Sequence, residues 1–242
     1  MKKRFLAYVF LCCLCLVACG TKQFSIEEQL YSEEISVQST ANCMVQESIE
    51  DTENGEELTK SILQVQADTR LGSGVLWDKP EDQWIVVTAS HVVEGLQEAE
   101  VYLVQEDKVL PARVWEVKGV DLAFLTVSVV SLDENIKSRY QPISHINENI
   151  ENGINIFTKS FNPYGELCEY SGKVLDDWIY VEDFDNFMLI CDCKATHGMS
   201  GGAVVTESGS LAGLICGEND EGILAALPLG VIQNEYEIFQ KN

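Results

Sequence analysis

Residues 197–205, His-Gly-Met-Ser-Gly-Gly-Ala-Val-Val, place a serine between glycines at the start of an apolar run. The small neighbours would let a substrate carbonyl approach the Ser200 hydroxyl, and they leave backbone N–H groups free to face that carbonyl. A serine hydroxyl is a weak nucleophile by itself, so this interpretation requires a base and an orienting acid elsewhere in the chain. Taken alone, the stretch fits a flexible turn equally well.

Two residues upstream are candidates for the base and the acid. His91 follows an apolar run and the small residues Ala89 and Ser90, a context that would expose its ring at the end of a strand. Asp121 comes directly before the apolar residues 122–125. Burying a carboxylate is costly unless it is paired, and a histidine N–H is a suitable partner. Alone, each residue also fits a structural histidine or a turn aspartate.

The chain beyond Lys60 consists of short apolar segments separated by turn residues. We predict strands in the first half at 62–66, 74–77, 84–89, 100–104, 112–117 and 122–127. In the second half we predict them at 154–159, 169–174, 179–181, 188–190, 202–206, 211–216 and 223–227. About a dozen short strands, without interleaved helices of ordinary length, predict an all-β barrel or sandwich.

Composition shifts divide the chain further. A polar stretch at 131–153 is predicted to link two subdomains, at about 61–130 and 154–228, within a domain that spans 61–235. Residues 229–242 are predicted to form a short closing helix whose inner face carries Val231, Ile232, Tyr236 and Phe239.

The N-terminus is typical of a targeting segment. Lys2, Lys3 and Arg4 precede an apolar run of 14 residues, too short for a comfortable membrane span and suited to a signal peptide. The run ends Leu-Val-Ala-Cys-Gly at 16–20, which resembles the lipobox of bacterial lipoproteins. That resemblance implies a signal peptide at 1–18 and a lipid on Cys19. An uncleaved anchor or an ordinary secretory signal is the alternative, and all three place the remaining chain outside the cytoplasm.

Residues 19–60 are polar and acidic, with few aromatic residues, so we expect a flexible tether between membrane and folded domain. The whole chain carries 39 acidic and 16 basic residues, a net charge of −23. It contains no basic stripe, so nucleic acid is not a predicted partner.

The cysteines suggest neither a metal site nor a fixed set of disulfides. Beyond residue 19 an odd number remains, and they are Cys43, Cys168, Cys191, Cys193 and Cys216. The pair at 191 and 193 has C-x-C spacing rather than the paired C-x-x-C of a zinc ribbon, and no histidine stands at ligand spacing. Free buried thiols, and one or two bridges, both remain open. We predict no metal and no cofactor.

Taken together, the motifs resemble those of chymotrypsin-like serine peptidases, and most closely the HtrA (Deg) branch. The resemblance runs from about residue 62 to 232 and keeps the motifs in order. The matching segments are Leu-Gly-Ser-Gly-Val at 71–75, Thr-Ala-Ser-His-Val-Val at 88–93, Asp-Leu-Ala-Phe-Leu at 121–125, Asn-Pro-Tyr-Gly at 162–165, Gly-Lys-Val at 172–174, the block 192–202, and Ala-Leu-Pro-Leu at 226–229.

The resemblance implies two six-stranded antiparallel β-barrels and a serine endopeptidase that acts on polypeptide substrates. His91 would be the base, Asp121 the orienting acid and Ser200 the nucleophile, with the oxyanion received by the backbone N–H groups of Gly198 and Ser200. A role in protein quality control or processing would follow. The alternative is a catalytically silent binding module of the same fold, although such modules usually lose a triad member.

Specificity rests on fewer residues. Lys194, six residues before the nucleophile, corresponds to the floor of the family's primary pocket. If its side chain points inward, it favours an acidic substrate side chain. If it points outward, Leu214, Ile215 and Ala226 would line the pocket and favour small apolar side chains, which is the alternative we prefer.

The chain also departs from the HtrA pattern. Met199 stands where the family has Asn or Asp, so activation through a cleaved N-terminus is not expected. Only 14 residues follow Pro228, and we therefore expect no PDZ domain after the peptidase domain. Cys216 falls on the strand that would pair with substrate, and we expect it near Asp121 as a packing residue.

Overall fold

The computed structural model describes residues 60–146 and 149–241. The predicted signal peptide, Cys19, Cys43 and all of the predicted tether except Lys60 therefore lie outside the described residues. Within that part of the chain, twelve strands form two closed barrels.

The first barrel contains β1 to β6, joined in the closed order β1-β2-β3-β6-β5-β4 with antiparallel neighbours. Every second side chain of a strand faces the same side, and the apolar side chains on the inner side of these strands fill the interior of the barrel. The strands are β1 (Ile62–Ala67), β2 (Arg70–Asp78), β3 (Gln83–Thr88), β4 (Glu98–Leu103), β5 (Lys108–Glu116) and β6 (Ala123–Ser128).

The second barrel contains β7 to β12, in the closed order β10-β11-β12-β9-β8-β7, again antiparallel. The predicted architecture of two six-stranded antiparallel barrels is confirmed. The strands are β7 (Asn155–Phe161), β8 (Leu167–Val181), β9 (Asn186–Cys191), β10 (Ala203–Thr206), β11 (Leu211–Glu218) and β12 (Leu224–Pro228).

One pair of predicted strands was wrong. The segments 169–174 and 179–181 belong to the single 15-residue strand β8. Its register against β9 shifts between Val174 and Asp176 and again before Ile179. The register shifts lie in the gap between the two predicted strands, where the strand continues because a bulge lets a strand bend without ending it.

The described residues also contain three α-helices and two single-turn 3-10 helices. Helix α1 (Ser90–Val93) follows β3, and α2 (Glu134–Lys137) lies in the link between the barrels. Helix α3 (Leu229–Phe239) closes the chain, and the 3-10 turns are Val104–Glu106 and Glu182–Phe184. None of these helices is long and apolar enough to cross a membrane.

Helix α3 leaves the second barrel and packs on the first. Its Ile232 is fully buried, and its Phe239 ring stacks on Phe124 of β6 with centroids 4.8 Å apart. The Tyr236 hydroxyl donates to the Asp78 carboxylate at 2.5 Å. The predicted inner face is thus present, and its partner is the other barrel.

The link between the barrels has a polar sequence, yet three of its side chains are buried in a core. Leu132, Ile136 and Tyr140 join the core of the first barrel. Further along, the Leu211 N–H donates to the Ser144 carbonyl at 2.8 Å. The link is therefore fastened to both barrels. One further apolar cluster joins the two barrels directly. It includes Val75 and Phe124 from the first barrel and Leu214 and Cys216 from the second.

Candidate active site

His91 and Asp121 meet in the first barrel. His91 is the second residue of α1, directly after β3, and Asp121 precedes β6, the strand beside β3. The Nδ1 atom of His91 lies 2.8 Å from Oδ2 of Asp121 and 3.1 Å from Oδ1. Oδ1 also accepts the backbone N–H of His91 at 3.0 Å and the hydroxyl of Ser90 at 2.9 Å. The predicted pairing of base and acid is present.

The Asp121 carboxylate is 5% exposed, yet its surroundings favour the charged form. Burial acts to raise the pKa of Asp121, but the hydrogen bond and charge of His91, the His91 backbone N–H and the Ser90 hydroxyl together hold it below the ordinary value. An ionised carboxylate only accepts hydrogen bonds, so Nδ1 of His91 carries the hydrogen of this contact, and in the neutral imidazole the lone pair is then on Nε2.

Ser200 lies in the tight turn before β10, and this turn rests on the first barrel. The Ser73 N–H of β2 donates to the Ser200 carbonyl at 2.8 Å. A Cβ on Gly201 would lie 2.2 Å from the Ser73 carbonyl oxygen and 3.1 Å from the N atom of Ala89, the residue just before α1. Only a glycine permits this approach, which brings the nucleophile turn against the end of β3 that leads into His91.

Several backbone groups of the turn are already engaged. Met199 N–H donates to the Thr196 carbonyl at 3.1 Å, Gly201 N–H to Ile215 at 2.8 Å and Gly202 N–H to Met199 at 2.9 Å. By contrast, no group within residues 60–146 and 149–241 accepts a hydrogen bond from the N–H of Gly198 or of Ser200.

Gly198 is held by its neighbours in a conformation that few other residues adopt. Its φ is +88°, and a Cβ there would lie 3.1 Å from Cδ of Pro163. Pro163 belongs to the Asn-Pro-Tyr-Gly loop at 162–165, which the sequence identified only as a family motif. The structure shows that this loop packs against the predicted oxyanion residue.

Met199 is fully buried between Gly198 and Ser200. Its side chain joins the core of the second barrel, in the cluster that contains Val174 and Cys191. The Thr196 N–H points to its sulfur at 3.1 Å. The position that carries Asn or Asp in the HtrA pattern therefore contributes to packing in this chain.

The residues predicted to form the primary pocket differ in their exposure and in their neighbours. Lys194 is exposed. Leu214, Ile215 and Ala226 are fully buried in the interior of the second barrel and its junction with the first. Leu214 joins the apolar cluster between the barrels, whereas Ile215 and Ala226 join the core of the second barrel, because consecutive residues of a strand face opposite sides.

Sequence reasoning missed Glu218, a half-buried residue at the end of β11. Burial raises the pKa of the Glu218 carboxyl, although the backbone N–H of Ala195 and the charge of Lys194 both act to lower it. Glu218 therefore connects β11 with the segment before the nucleophile.

The four described cysteines, Cys168, Cys191, Cys193 and Cys216, form no disulfide with one another. Burial raises the pKa of Cys191, and raises that of Cys193 to about 11. The Cys216 sulfur lies 3.9 Å from the Asp121 carbonyl oxygen, so Cys216 is near Asp121, as expected. No group of three metal-binding side chains occurs among the residues that the structure describes.

Comparisons with known proteins agree with this geometry. The family model of the trypsin-like peptidase domain matches residues 72–214. Proteins named serine protease HtrA-like, from two strains of Staphylococcus epidermidis, are 29% identical over 187 residues, which is 69% of this chain. The match spans only 30% of those relatives' own length.

Solved structures share the fold at low sequence identity. The serine endoprotease from Yersinia pestis is 18% identical with a TM-score of 0.64, and the match covers 81% of this chain and 69% of that one. A Mycobacterium tuberculosis protease in its inactive form is 18% identical with a TM-score of 0.61, covering 79% and 96%. Because the family model covers more than half of the chain, and the two-barrel structure agrees with it, this chain belongs to the family of trypsin-like peptidases.

Proposed function

We propose that the chain is a serine endopeptidase that cleaves polypeptides through an acyl-enzyme on Ser200. The observation that carries the proposal is the buried, ionised Asp121 paired with His91 at the end of β3. The turn that bears Ser200 is fastened against that same end. In this proposal a nucleophile, a base and an orienting acid from separate parts of the chain act together at one junction between the barrels.

The roles follow from the chemistry of each group. Ser200 Oγ attacks the scissile carbonyl while Nε2 of His91 takes its proton, which His91 later returns to the leaving amine. Asp121 keeps the hydrogen on Nδ1 and stabilises the imidazolium that forms. Water then hydrolyses the acyl-enzyme by the same route, with His91 again acting as base.

The backbone N–H groups of Gly198 and Ser200 would receive the oxyanion of the tetrahedral intermediate. This role is supported by the fact that neither group donates to another described residue, whereas the N–H groups of Met199 and Gly201 do. In serine peptidases the loss of one such donor costs about 2.7–4 kcal/mol of transition-state stabilisation. No metal or cofactor is part of this mechanism.

The direct test is cleavage of casein by the wild type and by Ser200→Ala. We expect the variant to lose cleavage while it keeps its fold, because the hydroxyl is needed only for chemistry. Ser128→Ala, at an exposed position at the end of β6, is the matched control and should cleave as the wild type does. Undiminished cleavage by Ser200→Ala would refute the proposal.

We also propose that the peptidase acts outside the cytoplasm, held to the membrane by a lipid on Cys19, in protein quality control or processing. The basic residues 2–4, the 14-residue apolar run and the Leu-Val-Ala-Cys-Gly motif support this location. Labelled fatty acid should enter the wild-type chain and not Cys19→Ser. Incorporation that survives the substitution would contradict the lipid assignment.

A further inference from the structure

Ser73, in the middle of β2, fastens the nucleophile turn to the other barrel. It is fully buried. Its N–H donates to the Ser200 carbonyl at 2.8 Å, and its hydroxyl donates to the Gly198 carbonyl at 3.0 Å. A single residue of the first barrel therefore holds carbonyls on both sides of Met199, in the segment whose N–H groups would receive the oxyanion.

The same hydroxyl also holds the loop that packs on Gly198. The N–H of Phe161 donates to Ser73 Oγ at 2.8 Å, and the Phe161 carbonyl lies 3.3 Å from it. Phe161 leads directly into Asn162 and Pro163, and Pro163 is the residue that a Cβ on Gly198 would meet. A hydroxyl offers one donor and two acceptor sites. Here it reaches both segments that enclose Gly198.

Ser73 is itself held firmly. The Thr88 hydroxyl, at the end of β3, donates to the Ser73 carbonyl at 2.7 Å. The flanking glycines permit close packing, since a Cβ on Gly72 would lie 2.7 Å from the side chain of Val92 and one on Gly74 would lie 2.6 Å from that of Val86. Ser73 is thus tied to the strand that leads into His91.

We infer that Ser73 is a positioning residue that fixes the oxyanion site formed by Gly198 and Ser200. This inference rests on the proposed function. Gly198 has no side chain to restrict its rotation, so the Ser73 hydroxyl on its carbonyl, together with the Met199 N–H bond to Thr196, selects one orientation of this peptide group. Without the Ser73 hydroxyl the hydrogen bond to the Gly198 carbonyl is lost, the turn can rotate, and the two N–H groups move off the position of the oxyanion. Misplacement of about 1 Å costs about 10²-fold in rate.

The test compares Ser73→Ala with Ser61→Ala in the full chain. Ser61 is also a buried serine of the first barrel, and its hydroxyl donates to the Gln141 carbonyl at 2.7 Å, within the first barrel and its link. Both variants lose a hydroxyl that donates to a backbone carbonyl, and Ser73→Ala also loses the hydrogen bond that Ser73 accepts from the Phe161 N–H. The measurements are kcat and KM on a peptide substrate, and the affinity for a peptidyl boronate, which forms a tetrahedral adduct with an active serine.

We expect Ser73→Ala to lose about 10²-fold in kcat and a similar factor in boronate affinity, with KM within about twofold of the wild type, because the loss falls on the transition state. Ser61→Ala should keep its kcat within about twofold. Should Ser73→Ala fail to fold, Ser73→Cys keeps a similar shape and a weak S–H donor. Its kcat should lie between those expected for the wild type and for the alanine variant.

The outcomes separate this inference from the proposed function. If the wild type is active and Ser73→Ala keeps the wild-type kcat, only the role of Ser73 is overturned. Where the alanine variant does not fold, a wild-type kcat in Ser73→Cys has the same meaning. Equal losses of kcat in Ser73→Ala and Ser61→Ala also overturn it, since the effect would then be general loosening. A folded wild type that neither cleaves peptides nor binds the boronate overturns the proposed function, and the inference with it.

Discussion

Oδ1 of Asp121 accepts the backbone N–H of His91 at 3.0 Å, while Oδ2 lies 2.8 Å from the Nδ1 atom of the same residue. One carboxylate therefore fixes both the ring of the base and the backbone that carries it. Neither hydrogen bond is local in sequence, since 30 positions separate the two residues. The junction of β3 and β6 brings them together.

Asp121→Asn is expected to lower kcat on the order of 10⁴-fold, the magnitude known for this kind of triad. The amide can donate a hydrogen bond to Nδ1, which would place the ring hydrogen on Nε2 and remove the base. Steady-state kinetics on a peptide substrate measure the effect, with circular dichroism to show that the variant folds. A kcat within about tenfold of the wild type would contradict the assigned role.

The same pair predicts how stability depends on pH. The pKa of Asp121 in the folded protein lies below its ordinary value of 3.8, so the pair contributes fully above the unfolded-state pKa. That contribution is lost as the pH falls through the folded-state pKa. The difference in Tm between wild type and Asp121→Asn should therefore shrink on acidification below about pH 5. A difference that grows at acid pH would contradict the sign.

Gly201→Ala should be far more harmful than Gly95→Ala. Both glycines have positive φ, +82° and +75°, but a Cβ on Gly201 would lie 2.2 Å from the Ser73 carbonyl oxygen, whereas one on Gly95 meets nothing within 4 Å. The backbone strain of about 1 kcal/mol is common to both variants. Overpacking adds about 1–3 kcal/mol at Gly201 alone.

Denaturant unfolding gives the free energy of unfolding of the two glycine variants, and a peptide assay gives their activity. We expect Gly201→Ala to lose activity as well as stability, because the clash separates the nucleophile turn from the first barrel. Equal effects of the two substitutions would show that this close approach does not matter.

Met199 should behave as a core residue. Met199→Ala is expected to lower the free energy of unfolding by about 2–5 kcal/mol, because the side chain is fully buried in the second barrel. Met199→Leu conserves volume and should cost less than about 1.5 kcal/mol. Met199→Asp, closer to the HtrA pattern, would bury a charge and should unfold the chain. A stable and active Met199→Asp would mean that this position tolerates the family's acid after all.

Much of the fold can be predicted from the alternation of apolar and polar residues, because each barrel buries one face of every strand. The break predicted between Val174 and Ile179 is wrong because the strand continues through irregularities in its register instead of ending. Local composition cannot tell a bulge from a turn.

The order of His91, Asp121 and Ser200 predicts the contact between His91 and Asp121, because a buried carboxylate needs a hydrogen-bonding partner. The pocket residues could not be predicted in the same way. Whether Leu214, Ile215 and Ala226 face a cleft or a core depends on strand register, which is set by distant partners. Ser73 was identified only as part of a motif, because the hydrogen bonds that tie it to Phe161, Gly198 and Ser200 reach across 88 to 127 positions of the chain.

The central claim, that Ser200 is an activated nucleophile, is tested most directly by a fluorophosphonate probe applied to the full chain. The probe reacts with a serine only where a base has activated it. We predict that the folded wild type is labelled on Ser200 and that Ser200→Ala is not labelled. A folded wild type that stays unlabelled would contradict the claim and indicate a silent binding module, as would equal labelling of the two proteins at another residue.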